Sequence, residues 1–346
     1  MPSTHVSSRR LHEVRNLSGQ VSSPRSVASA RAAIAGAVAI CVLTIGCATP
    51  ESTEKTGRTL RLMTGIVGSG YYGLGHAMAD GYAKSHPSAE VEVVEGSGSV
   101  STVEAIQSGH ADIGFTLADV AYLAFAGRLT DRQTRFDRIR GLSVLQLTPL
   151  HLVVRNDSPI RAVPDLKGRS VAVGPPGSGT PFTVALVLRA FGVPQGEVKT
   201  VAVPFKEGAN LLRSGTVKAM FLNATDPAEG VRDAIDAGAH LVSIRGAPVA
   251  ALRREYPFFR LARIPAATYA NQPESVYTIG TDALIVCRDD LEELTAYELT
   301  KQFFDTVSAL PASESLRLMN LDSAPATPIP LHEGAARYFR ERELFR

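Results

Sequence analysis

The chain has no tryptophan, only three cysteines in 346 residues, and no dominant charge sign: 36 Lys+Arg stand against 34 Asp+Glu, a formal net charge of +2. Cys41, Cys47 and Cys287 are too few for a disulfide framework or a cysteine zinc site, so stability has to come from a packed core. Without a basic excess there is nothing to neutralise a run of phosphates. The nine Tyr and thirteen Phe do not alternate with Lys and Arg as single-strand stacking platforms do, and nucleic acid is excluded as the first expectation. No HExxH or GxSxG occurs, and His76, His86, His110, His151, His240 and His332 are scattered, each reading as a surface or core residue. No metal, cofactor or catalytic residue is expected. What is present, 45% hydrophobic and 20% charged residues, is globular composition at a length that fits about two domains.

Long apolar runs are also missing, with one exception. Ala32–Gly46 is uncharged and 15 residues long, short of the ~20 that a membrane-spanning helix needs but suited to the apolar region of a signal peptide. Five arginines and one glutamate precede it in a Ser-rich segment, and it ends in Leu43-Thr44-Ile45-Gly46-Cys47, which resembles a bacterial lipobox with Thr44 where leucine is usual. Residues 1–46 therefore read as a signal peptide and Cys47 as the lipid-anchored first residue; an uncleaved signal anchor or ordinary secretion is the other reading. Cleavage leaves 31 Lys+Arg against 33 Asp+Glu, so the basic character belongs to the leader. Residues 47–58 read as a linker, and the body is expected outside the cytoplasm, tied to a membrane. Cys287, inside the apolar run TDALIVCRDD, reads as a buried core thiol.

From Thr59 the pattern alternates. Strand-like LRLMTG (60–65), VEVVEG (91–96) and ADIGFTLAD (111–119) are separated by helix-like segments at 72–87 and 99–109. That order predicts a parallel, doubly wound α/β unit. After an extended stretch at 146–155 the architecture repeats: strands at 169–174, 198–205 and 216–224, helices at 180–192, 206–215 and 226–238. A strand in VYTIGTDALIVCR, a helix at 290–310 with Phe303, Val307 and Leu310 as core, and a last helix in LHEGAARYFRERELF follow. The expected organisation is one lobe at 59–149, completed by about 262–346, and a second at 150–261, with the ligand cleft between them at the carboxyl ends of the strands.

Three small-residue turns sit at strand ends and open helices: Gly68-Ser69-Gly70, Ser97-Gly98-Ser99 and Gly177-Ser178-Gly179-Thr180. The first belongs to a GxGxxG with Glu92 and Glu95 downstream, which is also a dinucleotide fingerprint; export away from the nicotinamide pool and the crowding of Tyr71 and Tyr72 weigh against that reading. Thr180 stands where a phosphate loop needs lysine, so nucleotide hydrolysis is not expected. As a set, the turns aim backbone N–H groups and hydroxyls into one cleft, a way to hold a carboxylate with few formal charges. Asn223 and Asp226, after a second-lobe strand, are candidate cleft residues, with Asp226 equally readable as a helix cap.

At these turns the chain resembles the TAXI family, the TRAP-associated extracytoplasmic immunogenic proteins. The resemblance runs from about Leu60 to Glu341 and is carried by TGIVGSGYYGLGHAMAD, EGSGSVSTVEAIQSGHADIGFTLADVAYLAFAG, VAVGPPGSGT, RIPAATYANQ and PIPLHEGAARYFRE. It implies a two-lobed type 2 periplasmic-binding-protein fold that closes on a small organic acid, glutamate-like or 2-oxoacid-like, and delivers it to a TRAP-type permease. The alternative from another class is a ligand-sensing lipoprotein that signals to a membrane partner; an enzyme is not expected. Position by position, the resemblance points to Tyr71, Tyr72, Ser99, Ser178 and Thr180 as ligand-binding residues, and Ser69 and Ser101 in the same turns and Asn223 join them as candidates. Ser69-Gly70 and Ser101-Thr102 replace the family's Gly-Gly-Thr and Glu-Asn, which favours a less amino-acid-like acid.

Overall fold

Alternation in the sequence becomes alternation of burial in the first strand, β1 (Thr59–Met63), where Leu60 and Leu62 are buried between half-exposed neighbours. The computed structural model describes residues 59–66, 70–129, 134–309 and 322–344, so the leader, Cys47, the linker, Ser69 and Leu310 lie outside the described residues. β1 pairs in parallel with β2 (Glu90–Val94) and β3 (Ile113–Leu117), and α1 (Gly70–Ser85) and α2 (Ser99–Ser108) make the crossovers. α3 (Ala118–Phe125) follows β3 directly.

The middle of the sheet departs from the all-parallel expectation. β4 runs for 17 residues (Ile139–Arg155) and β10 for 13 (Val276–Arg288), and both are antiparallel to their neighbours. The strand order is β2-β1-β3-β10-β4-β7-β5-β6, with β8 (Ala239–Leu241) on β4 and β9 (Phe259–Ile264) on β10. β5 (Ser170–Ala172), β6 (Lys199–Val201) and β7 (Ala219–Asn223) are mutually parallel and belong to the second half. The change of partner is written in β4: up to Pro149 it lies against β10, where Pro149 faces Gly280, and from Leu150 it lies against β7, where Leu150 faces Asn223. Proline has no N–H to give a ladder, and Gly280 sits so close that a Cβ there would come within 2.8 Å of the Thr148 carbonyl oxygen. Two α/β halves are thus joined by two continuous strands.

In the second half α4 (Thr180–Ala190), α5 (Phe205–Ser214) and α6 (Glu229–Asp236) connect the strands, and α7 (Ala247–Glu255) precedes β9. α8 (Glu293–Ala309) returns to pack on α1 and carries the last helix, α9 (Glu333–Leu344). Phe303 of α8 is fully buried and Val307 partly so. Two elements, α3 and α7, have no counterpart in the sequence reading, nor do β8 and β9. For α3 the reason is plain: ADVAYLAF is buried on nearly all sides, so no polar stripe marks a 3.6-residue period and the segment reads on from the strand before it.

Asp226 is not the cap of α6. The helix begins after Ala228 with no side-chain capping bond, and the Asp226–Pro227 peptide is cis. Cys287 is buried in β10, and burial pushes its thiol well above the ordinary range. Native protein is therefore expected to resist thiol alkylation at pH 8 and to react fully in denaturant; rapid native labelling at Cys287 contradicts the packing. Among the described residues no helix is long and apolar enough to cross a membrane, and no His, Cys, Asp or Glu group could hold a metal ion.

Candidate functional site

The turn after β2 places Gly98 at φ +131°, a conformation glycine alone adopts freely, and this aims the first amides of α2 outward from the first half. No side chain caps them. The carbonyl oxygen of Gly177, from the loop between β5 and α4, takes the bonds instead: Val100 N–H donates to it at 3.0 Å and Ser101 N–H at 3.3 Å. A helix amino end attracts negative charge through its unpaired N–H groups and its dipole. Here that seat is filled by the partial charge of a carbonyl from the other half. The approach is tight, since a Cβ on Gly98 would stand 2.7 Å from Ser178 Cα and one on Gly177 2.3 Å from Ser97 Oγ.

Hydroxyls hold the two sides of this junction. Ser101 Oγ donates to Gly98 O at 2.8 Å and accepts from Ser97 N–H at 3.1 Å. Ser99 Oγ accepts from Leu117 N–H at 3.2 Å, tying α2 to the end of β3. On the facing side Thr180 Oγ1 accepts from Asn223 N–H at 3.4 Å. Ser178 is buried, and its Oγ has no partner.

A second set of bonds spans the halves more deeply. Asp119, in the first turn of α3, accepts from Thr183 Oγ1 of α4 at 2.5 Å and from Val120 N–H at 2.9 Å. Its own N–H donates to Thr281 Oγ1 of β10 at 3.3 Å. Because the Thr183 proton goes to the carboxylate, its lone pair receives Asn223 Nδ2–H at 2.6 Å, and this fixes the amide with Oδ1 turned away and unpartnered. Asp119 is fully buried and bonded only to neutral groups, so burial raises its carboxyl to about 6. Along β4, Gln146 is buried with Oε1 unpartnered, and Thr148 lies opposite Thr281 and meets the Tyr71 hydroxyl at 3.2 Å. Tyr71 stacks on Phe115, and burial raises its phenol.

Of the predicted residues, then, Ser99, Ser101, Ser178, Thr180 and Asn223 converge on the junction, and Tyr71 reaches its floor on β4. Tyr72 turns its ring edge-on to exposed His76, with centroids 4.6 Å apart. Sequence reading missed Asp119, Thr183, Gln146, Thr148 and Thr281. A signal existed for one of them: Asp119 is a lone acid inside the apolar run FTLADVAYLAF. Of the scattered histidines, His151 is fully buried in β4, bonded through Nε2 to the Tyr269 hydroxyl at 3.0 Å, and burial lowers it to about 4.

Chemically the junction offers the dipole of the α2 amino end and the Ser178 hydroxyl to an anion, and acceptors in Asn223 Oδ1, Gln146 Oε1 and the Asp119 carboxyl, none of these bonded to a lysine or arginine among the described residues. Such a set suits a small molecule with an oxyanion at one end and a hydrogen-bond donor at the other.

The sequence model of the NMT1-like family matches residues 62–342. Among solved structures, a Xanthomonas citri protein bound to ATP is similar at a TM-score of 0.50 and 14% identity, over 82% of this chain and 94% of its own. A protein of Bordetella bronchiseptica RB50 is similar at 0.50 and 17%, over 82% of each. The periplasmic aliphatic sulphonate-binding protein SsuA of Escherichia coli follows at 0.42 and 18%, over 84% of this chain and 92% of its own. The two at a TM-score of 0.50 share with this chain its mixed α/β fold of sheet and helices.

Proposed function

Because the chain belongs to the NMT1-like family, we propose that it is an extracytoplasmic solute receptor that closes its lobes on a small organic acid and hands it to a TRAP-type membrane permease. The lipobox-like Leu43–Cys47 supports a lipid tether, and the TAXI-like motifs support the choice of permease. One observation carries the ligand reading: the amino end of α2 is occupied across the junction by the Gly177 carbonyl, beside the buried and unpartnered Ser178 Oγ. A ligand carboxylate seated beside that carbonyl adds a full charge at the same amino end, and Ser178 gains the partner it lacks. The unpartnered acceptors Asn223 Oδ1 and Gln146 Oε1 favour an acid that also carries an amino or hydroxyl group over a plain dicarboxylate.

Thermal unfolding against amino acids, hydroxy acids, 2-oxoacids and dicarboxylates tests this directly. A binder at a hundred times its Kd is expected to stabilise the protein by about 2.7 kcal/mol. Ser178→Ala separates binding from folding: with no protein partner to lose, it is expected to leave the unliganded stability unchanged within about 0.5 kcal/mol and to shrink the ligand's effect. No stabilising acid across the panel, or a large loss of stability in unliganded Ser178→Ala, removes the support for the reading.

A further inference from the structure

β9 is an edge strand whose outer backbone groups can be assigned from its neighbours. Opposite Arg263 stands Tyr277 of β10, which turns both backbone groups away from β9: its N–H donates to Ser243 Oγ at 3.2 Å and its carbonyl accepts from Ile244 N–H at 2.8 Å. In an antiparallel pair of this kind both residues point their N–H and C=O outward, so those of Arg263 face away from β10. Phe259 does the same at the other end, donating to Tyr256 O at 3.1 Å and accepting from Arg253 Nε at 3.4 Å. Leu261, midway between them, therefore presents its N–H and C=O outward as well, and no β-strand among the described residues pairs with that side.

The side chains at this edge are those of an interface. Among the described residues three large apolar side chains are at least half exposed, and two of them are here: Leu261 at 62% and Tyr277 at 51%, diagonal neighbours on one face with Arg263 between them. Arg260 within the strand, Arg253, whose Nε reaches the Phe259 carbonyl, Arg254 beside it in α7, and Arg245, next to the Ile244 that bonds Tyr277, are exposed. The acids of the same stretch, from residue 245 to 282, are Glu255, Glu274 and Asp282, and two of these are already bound, Glu255 to Arg189 and Asp282 to Arg260. Arginines flanking a free edge oppose pairing with a second copy of the same edge, where they would face each other. They favour a strand of opposite charge.

We propose that the outer edge of β9 from Leu261 to Arg263 is a docking strip for an extended acidic segment of a partner protein, which adds to β9 as a further strand. Its apolar side chains would cover Leu261 and Tyr277 and its carboxylates would meet Arg263 and the arginines around it. This surface is separate from the ligand junction, and its test does not depend on what the receptor binds.

Fluorescence anisotropy of the full chain with a short labelled peptide of alternating glutamate and valine, and with its lysine–valine counterpart, tests the strip. The glutamate peptide is expected to bind and to weaken as salt rises. Leu261→Pro removes an outward N–H without touching the ladder to β10, and Arg263→Glu reverses the charge; each is expected to weaken binding about tenfold or more. Arg263→Glu is further expected to gain affinity for the lysine peptide, an outcome that misfolding cannot produce. Equal binding of the two peptides, or of neither, overturns the proposal. So does concentration-dependent self-association abolished by Leu261→Pro, which assigns the edge to a second copy, or binding to anionic lipid vesicles without binding to the peptide.

Discussion

Replacing Asp119 by asparagine is expected to remove a pH-dependent instability of about 3 kcal/mol. The carboxyl is raised from 3.8 to about 6 in the folded protein, and each tenfold gain in proton affinity is worth about 1.4 kcal/mol. Between pH 4 and 6 the unfolded chain has ionised Asp119 while the folded protein still holds its proton. The folded state thus binds more protons, and stability falls as pH rises through that window, then levels off above pH 6. Asparagine has no such proton. Its Oδ1 can accept from Val120 N–H and its Nδ2 can donate to Thr183 Oγ1, whose own proton then turns to Gly179 O, already 3.3 Å away. Urea unfolding of both proteins from pH 4 to 7 checks this: the variant should gain on the native protein steadily from pH 4 to 6. A constant difference across that range would mean that Asp119 ionises at its ordinary pKa and that the junction is wetter than its burial indicates.

Gly98→Ala is expected to act twice. A side chain at φ +131°, ψ −165° costs about 1–3 kcal/mol of stability wherever the lobes stand. The new Cβ also meets Ser178 Cα at 2.7 Å, a backbone atom that no rotamer change can move, so the loop must leave α2 and the Gly177 carbonyl must release Val100 and Ser101. On the proposed closure, loss of this contact penalises the closed state apart from stability, and affinity for a ligand that closes the lobes should fall at least about tenfold. Gly168→Ala separates the two effects, because Gly168 also has a positive φ, +73°, but nothing lies within 4 Å of its Cβ position. It should cost stability and leave affinity unchanged. Equal losses of affinity in both variants would show that the contact between Gly98 and Ser178 has no part in binding.

Much of the fold was open to reading from residue order alone. Leu60 and Leu62 mark β1 by alternation, Gly98 and Ser99 mark the opening of α2, and the repeat of strand and helix after 165 marks the second half. The direction of β4 and β10 was not. Nothing in QLTPLHLVVR or VYTIGTDALIVCR distinguishes a strand that runs against its neighbours from one that runs with them, because side-chain alternation is the same in both. α3 was hidden by its burial, and β9 by its mixture of exposed arginine and exposed leucine.

The site divides in the same way. Small residues at strand ends announce turns whose backbone can approach another chain segment, so Ser97-Gly98-Ser99 and Gly177-Ser178-Gly179 could be named, and Ser99, Ser101, Ser178 and Thr180 with them. That is local information, carried by the conformations that each residue permits. Asp119, Thr183 and Asn223 are 64 and 40 positions apart along the bonds that join them, and Gly177 meets Val100 across 77. Such contacts exist because two strands, β4 and β10, carry the chain from one half into the other and fold the halves face to face. Whether a carboxyl is an ordinary surface acid or a buried one raised to about 6 depends on which groups exclude water from it, and for Asp119 those groups come from α4 and β10, which only the tertiary fold brings to it.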